Sequence, residues 1–96
     1  MITITVLLTQ LPGLPLRDIE RWIENDWVRP DGQRGAWAFD AIDVARVRLI
    51  HELRDRLDVN EAALPVVLLL LDQLYDLRRQ MRALHKDGRE DGRPAP

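Results

Sequence analysis

The stretch that organises the chain runs from Asn60 to Lys86 and reads NEAALPVVLLLLDQLYDLRRQMRALHK. Apolar residues recur in it at alternating spacings of four and three, which is the pattern of a heptad seam on an α-helix. The seam consists of Ala63, Val67, Leu70, Leu74, Leu77, Met81 and Leu84. A helix of this length extends roughly 40 Å, more than a compact domain of this size requires. The sequence therefore predicts a long helix that serves more than its own domain.

The two halves of this helix differ in the width of their apolar face. A second apolar row flanks the first half only and consists of Leu64, Leu68, Leu71 and Tyr75. A wide face is typical of packing on a domain core, whereas a narrow stripe suits a single partner helix. We therefore predict that the second half protrudes and forms an antiparallel coiled coil with a second copy, burying Leu70, Leu74, Leu77, Met81 and Leu84. The alternative is a frayed end that lies on the monomer. Asn60 is the predicted N-cap, and Pro65 predicts a ragged start or a kink near Ala62.

Composition indicates one soluble domain. The chain has 96 residues, 46% of them hydrophobic and 31% charged, and a formal net charge of −2. It contains no cysteine, which excludes disulfides and thiolate metal sites and fits a reducing compartment. No apolar run approaches the ~20 residues needed to span a bilayer, and the N-terminus lacks the basic region of a signal peptide. We therefore expect a cytoplasmic protein without a membrane segment.

The first part of the chain predicts a helix-turn-helix. Residues 1–8 begin with alternating apolar residues, which favours a strand, but the leucines that follow suit a short helix ending at Pro12-Gly13. Both interpretations stay open for this segment. Pro15 then fits the first turn of a second helix, which runs to about Asn25. Two short helices joined by a tight turn are what a helix-turn-helix requires.

A hairpin and a third helix follow. Aromatic and β-branched residues at 27–30 and 36–39 flank an Asp-Gly turn, which predicts a two-stranded β-hairpin, or wing. Asp40 is the predicted N-cap of a helix from Ala41 to Leu57. We expect its inward face to consist of Ile42, Ala45, Leu49, Ile50, Leu53 and Leu57.

The predicted fold is all-α with this small β-hairpin wing. Residues 1–58 form the winged helix-turn-helix region. Residues 59–86 form the long C-terminal helix, which packs on that region and extends as a dimerisation helix. Residues 87–96 are rich in glycine, proline and mixed charge and are predicted to be disordered.

Four sequence stretches carry a resemblance to a known family. Residues 53–60 (LRDRLDVN) and 66–74 (VVLLLLDQL) are similar to a signature written LRxDLGVN…VxVVLxLLDxL, and residues 22–30 and 37–40 to LVEEGLLEP and WRFxxED. The order of elements resembles MerR-type winged-helix regulators. The signature itself resembles the CbpM family, which comprises modulators of the DnaJ-like co-chaperone CbpA.

The resemblance covers about residues 3–84 and has two departures. Asp26 stands where the family usually has a glycine, and Pro65 interrupts the start of the last helix. The resemblance implies a partner, the J-domain of a CbpA/DnaJ-like co-chaperone, whose exposed second helix is basic. Occupying that surface would block the co-chaperone from engaging its Hsp70.

The residues themselves suggest no catalytic centre. His51 and His85 are far apart on different predicted helices, and each is more readily explained as a surface or packing residue. The chain has neither a His-Glu-x-x-His zinc motif nor a glycine-rich phosphate loop. We expect no enzyme activity, no cofactor and no metal.

The charges of the second helix bear on the choice between protein and DNA as partner. In a helix-turn-helix this helix enters the major groove, and each carboxylate facing the phosphates opposes binding. The predicted partner-binding residues are Asp18, Glu20, Trp22, Glu24, Asp26 and Trp27. We expect them to steer a basic protein partner and to make nucleic-acid binding unfavourable, leaving a MerR-like DNA-binding transcriptional regulator as the alternative. The competing interpretation is that the carboxylates are ordinary solvated charges and that the tryptophans fill the core.

Overall fold

A computed structural model of the chain describes the backbone of residues 1–92 and the side chains of residues 1–85. The chain divides into two compact units, of which the first is Met1–Leu64 and the second begins at Pro65. The prediction of a mainly helical chain is confirmed. In order, the elements are β1 (Ile2–Thr3), α1 (Ile4–Gln10), α2 (Leu16–Glu24), β2 (Ala38–Phe39), α3 (Ala41–Asp55), a 3-10 turn (Glu61–Ala63) and α4 (Leu64–Gly92).

The first segment contains both structures that its sequence allowed. β1 occupies residues 2–3, and α1 begins at the next residue. The side chain of Thr3 accepts a hydrogen bond from the amide of Val6, so the last residue of the strand also caps the helix. Gly13 has a φ of +88° in the turn that joins α1 to α2, a conformation that costs glycine little. The predicted helix-turn-helix is therefore present.

The wing is smaller than predicted. β2 pairs antiparallel with β1, with Ile2 opposite Phe39, and not with residues 27–30. Between the two arms of the expected hairpin a single bridge remains, in which Asp31 and Ala38 exchange hydrogen bonds of 2.9 and 2.8 Å. The next residue of the second arm, Phe39, pairs with Ile2 of β1 and not with the first arm. The predicted strand at residues 27–30 is wrong.

α3 begins where the sequence predicted. The carboxylate of Asp40 accepts from the amide of Asp43 at 2.8 Å, and that of Asp43 accepts from the amide of Asp40 at 3.0 Å. This reciprocal capping box satisfies two backbone donors at the helix start. It also places the Asp43 side chain at the edge of the interior, where it is 8% exposed.

The inward face of α3 is partly different from the predicted one. Ile50 and Leu53 are buried as expected, whereas Ile42 is 74% and Leu57 is 67% exposed. The buried row starts at Asp43 and continues at Val47, so it is rotated by one residue from a row through Ile42. Leu57 is exposed because the helix ends at Asp55, before that residue can join the row.

The core of the first unit draws residues from each of its helices and from β2. All of the following side chains are at most 5% exposed: Leu7, Leu14, Ile19, Trp22, Val28, Phe39, Val47, Ile50 and Leu64. Burying each large member contributes about 1.5–3 kcal/mol to folding. The core therefore fixes α2 and α3, which carry the charged residues described below.

The second unit contains α4 from Pro65 onward, and the 3-10 turn before α4 belongs to the first unit. The side chain of Asn60 accepts from the amide of Ala62 at 2.8 Å, so it caps the 3-10 turn and not α4 itself. Pro65 is the second residue of α4, where its missing amide hydrogen costs no helical bond. α4 continues to Gly92, beyond the end predicted at Lys86, because glycine weakens a helix without removing a backbone donor. Residues 93–96 of the predicted disordered tail lie outside the described residues.

Candidate partner-binding surface on α2

The outward face of α2 is a row of three side chains spaced four residues apart. Leu16 is 42% exposed, and the side chains of Glu20 and Glu24 are 26% and 65% exposed. Residues four apart lie on one face of a helix, one turn above another. The opposite face carries Ile19 and Trp22, both fully buried. Because Ile19 and Trp22 anchor one face of α2 in the core, Glu20 and Glu24 lie on the opposite face.

Asp18 does not belong to this outward face. It is 8% exposed, and its carboxylate accepts from Arg54 Nη1 at 2.8 Å and from Arg21 Nη2 at 3.1 Å. The sequence placed Asp18 among the partner-binding carboxylates, and the structure corrects that placement. Two arginines neutralise it inside the first unit because a nearly buried carboxylate requires a paired charge.

Glu61 completes this internal charge cluster from the 3-10 turn. It accepts from Arg21 Nε at 2.9 Å, from Arg54 Nη1 at 3.3 Å and from the Trp22 indole at 3.4 Å. The hydrogen bonds from Arg21 hold the pKa of Glu61 below its ordinary value, against the opposing effect of burial. The Arg54 guanidinium lies 5.2 Å from the centre of the Trp22 ring, within the range of a cation–π contact. The cluster joins α2, α3 and the 3-10 turn.

The two tryptophans of the predicted surface have different environments. Trp22 is fully buried and belongs to the core, which corrects its placement among surface contacts. Trp27 is partly exposed, and its carbonyl accepts from Arg46 Nε. Of the two residues, Trp27 alone is accessible to solvent.

Asp26 ends α2 in a left-handed conformation, with a φ of +63°. Its amide donates to the Ile23 carbonyl at 3.0 Å, and the amide of Trp27 donates to the Trp22 carbonyl at 2.9 Å. This pair of bonds is a Schellman motif, in which the left-handed position is usually glycine. The side chain of Asp26 remains exposed beside the end of the glutamate row.

Arg34, in the loop between the bridged residues Asp31 and Ala38, lies against the two glutamates. Its Nη1 is 3.2 Å from Glu20 Oε2, and its Nη2 is 2.9 Å from Glu24 Oε1. Its guanidinium is also 5.9 Å from the centre of the Trp37 ring. One guanidinium therefore bridges two carboxylates across adjacent turns of α2.

The comparison with protein-family models matches residues 2–86 to the MerR HTH family regulatory proteins. The chain belongs to this family. No curated protein and no solved structure gives a significant match. The match supports a regulatory role built on a MerR helix-turn-helix.

The surface around α2 in this MerR helix-turn-helix carries side chains of both charges. Three carboxylates there are exposed or partly exposed, those of Glu20, Glu24 and Asp26, and the guanidinium of Arg34 pairs with the first two. Arg17 and Arg29 are exposed, and among residues 1–85 no ion pair to either is seen. The surface can attract a cationic partner to the glutamate row and an anion to these two arginines.

The predicted dimerisation residues of this MerR-family chain are exposed on α4. Their exposed fractions lie between 40% and 72% for Leu70, Leu74, Leu77, Met81 and Leu84. Side chains of this kind at heptad spacing suit a partner helix. Pairing with a second copy stays a prediction.

The described residues include no group of three or more metal-binding side chains close enough to hold an ion. His51 Nδ1 lies 2.9 Å from Asp55 Oδ2, one turn along α3. The carboxylate of Asp55 also forms an ion pair with Arg54. His85 is exposed on α4. Within the same residues, no helix is long and apolar enough to cross a membrane.

Sequence reasoning missed the two features that determine the charge of this surface. Glu61 reaches Arg21 across 40 positions, and no local spacing signals such a pair. The signal for Arg34 is its position between two glycines in the loop that follows α2, and the sequence does not show which carboxylates it reaches.

Proposed function

We propose that this MerR-family chain regulates by binding a protein, in the manner of the CbpM family that its sequence resembles. The partner is the J-domain of a CbpA/DnaJ-like co-chaperone, and binding prevents that J-domain from engaging Hsp70. The observation that supports this most is the position of Arg34. The wing arginine pairs with two carboxylates of α2, which supports a role for that face in binding a cationic partner.

The proposed contact combines charge and apolar area. Glu24 and Asp26 are exposed and Glu20 is partly exposed, and these carboxylates would attract the basic helix that the resemblance implies for the J-domain. Leu16 and the exposed part of Trp27 supply apolar contact next to them. No covalent step is involved, and the inhibition is steric.

The direct test is titration calorimetry of the full chain with a CbpA-like J-domain at low salt. We expect measurable heat and a saturable isotherm whose affinity falls as salt is added, because exposed charges are screened. Absence of heat at excess J-domain contradicts the proposal.

A charge reversal tests the mode of contact. We expect Glu20→Lys with Glu24→Lys to weaken J-domain binding at least about tenfold, chiefly through the association rate. The control is Glu52→Lys with Asp76→Lys, which changes the net charge equally at two exposed positions outside α2. Equal weakening by both pairs would show that net charge, and not the α2 face, governs binding.

DNA binding is the second candidate, and the family match together with exposed Arg17 and Arg29 favours it. Arg17 stands at the start of α2, the end of a recognition helix that approaches base edges. A mobility-shift assay on duplex DNA at low salt tests it. Tight binding that is lost in Arg17→Ala, with J-domain binding absent, would replace the first proposal by this one.

A further inference from the structure

The bridge between Arg34 and the two glutamates has a consequence for regulation of the α2 face. A cation that binds this face must either displace the guanidinium of Arg34 or tolerate it nearby. We propose that Arg34 is an intramolecular competitor that occupies the glutamate row until a basic partner displaces it. This inference rests on the proposed function, because it specifies how access to the same surface is controlled.

The geometry supports a contact that can open. The side chains of Arg34 and Glu24 are 62% and 65% exposed, so the ion pair is solvated and worth little on its own. Glu20 is the less exposed partner, at 26%, and its bond to Arg34 is the longer one at 3.2 Å. A contact this weak holds the loop in place without preventing exchange with an external cation.

The loop itself is built to place Arg34 in this position. It is closed at its base by the bridge between Asp31 and Ala38, and a backbone bond of 2.8 Å from Ala36 to Gln33 forms a turn within it. Gly32 and Gly35, on either side of Arg34, have φ values of +87° and +90°. A Cβ at Gly32 would lie 2.5 Å from the Ala36 carbonyl oxygen, so this loop conformation requires glycine there.

The site that Arg34 occupies on the two glutamates also matches the chemistry of the proposed partner. Two carboxylates one turn apart receive a single guanidinium through two separate nitrogens, an arrangement that suits arginine better than lysine. A basic helix presents the same groups as Arg34 does. Binding would exchange one cation for another on the same oxygens, leaving Arg34 with its contact at Trp37.

The test measures binding of a synthetic lysine- and arginine-rich helical peptide to the full chain by calorimetry. Arg34→Gln should bind this peptide roughly two- to fivefold more tightly than the unmodified chain, because the competing state is removed. The matched control is Arg56→Gln. It also removes one positive charge and frees one exposed carboxylate, that of Glu52, outside the α2 face.

Two outcomes overturn the inference. Either Arg34→Gln strengthens binding no more than Arg56→Gln does, or it weakens binding, which would make Arg34 part of the recognition surface. Arg34→Lys should give an intermediate affinity, because a lysine keeps the charge but cannot bridge two carboxylates in the same way. Thermal unfolding monitored by circular dichroism verifies that each variant is folded.

The same variants separate this inference from the proposed function. If the J-domain gives no heat with any variant while the peptide distinguishes Arg34→Gln from Arg56→Gln, the J-domain proposal fails and the competition stands. If the J-domain binds all variants equally, the proposed partner is retained and the competition is rejected.

Discussion

At the scale of the residue, two aspartates hold backbone conformations that favour glycine. Asp26 and Asp58 have φ values of +63° and +53°, and they follow the ends of α2 and α3. A left-handed conformation costs roughly 1–2 kcal/mol for a typical residue with a Cβ, and somewhat less for aspartate. In each case the strain permits a backbone bond that ends the helix, such as the 2.8 Å bond from the Val59 amide to the Leu53 carbonyl.

Replacing Asp26 by glycine should relieve this strain. We expect Asp26→Gly to raise the free energy of unfolding by about 0.5–1 kcal/mol, measured by urea denaturation. The control is Asn25→Gly, at a neighbour whose φ of −83° gives glycine no advantage, and it should be destabilising. A loss of stability in Asp26→Gly would mean that the aspartate side chain contributes more than its conformation costs. Because Asp26→Asn keeps a residue suited to this φ while removing the charge, it tests partner binding separately.

At the scale of the element, the Glu61 cluster fastens the 3-10 turn to α2 and α3. The carboxylate of Glu61 accepts hydrogen bonds from Arg21, Arg54 and the Trp22 indole. Its side chain is 30% exposed. Removing it takes away one of the two acceptors that Arg21 and Arg54 share, the other being Asp18, and leaves the Trp22 indole without its acceptor. This costs more than loss of an exposed surface pair. The 3-10 turn that precedes α4 is therefore held by charge as well as by the backbone.

The stability that Glu61 supplies should depend on pH. Its pKa is lowered by folding, so its contribution is complete above its ordinary pKa of 4.5 and is lost as pH falls through the lowered value. We expect Glu61→Gln to lower the free energy of unfolding by about 1 kcal/mol at neutral pH and by less in acid. Urea denaturation at several pH values measures this. Glu52→Gln, in an exposed pair with Arg56, should change little, and an equal pH dependence in both variants would contradict the assignment.

Features that have a local signal in the sequence were predicted better than features that depend on tertiary contacts. Pro15 and Asp40 marked the starts of α2 and α3 correctly, since the fixed φ of proline and the capping carboxylate of aspartate both act within one helical turn. The phase of α3 was misjudged because Ile42 and Val47 both fit an apolar row, and packing decides between them. The surface was predicted least well, because Asp18 and Arg34 obtain their ion partners from other elements of the fold.

At the scale of the whole molecule, the exposed apolar seam of α4 predicts self-association. Burial of several of its side chains would contribute about 1.5–3 kcal/mol each, enough for a modest dimer. Each copy would bring its own α2 face, so a dimer would present two copies of the proposed partner surface. Simultaneous contacts of this kind raise apparent affinity only where the partner is also multivalent.

Sedimentation at micromolar concentration should give a dimer. Leu77→Glu with Met81→Glu should give a monomer, because two charges cannot be buried at an apolar seam. The control is Arg79→Glu, which changes the net charge by the same amount on the side of α4 away from the seam. A monomer from the unmodified chain contradicts the prediction. A monomer from the Arg79→Glu control would show that net charge, and not the seam, governs association.

The pairing of Ile2 with Phe39 ties the first residues of the chain to the strand that leads into α3. An expression clone whose reading frame opens a few codons late would lack β1 and the Thr3 cap of α1 together. Its β2 would then be an open edge with unpaired amides and carbonyls, the feature by which folded chains aggregate. Poor solubility of the protein from such a clone would follow from the missing strand and would say nothing about the α2 face.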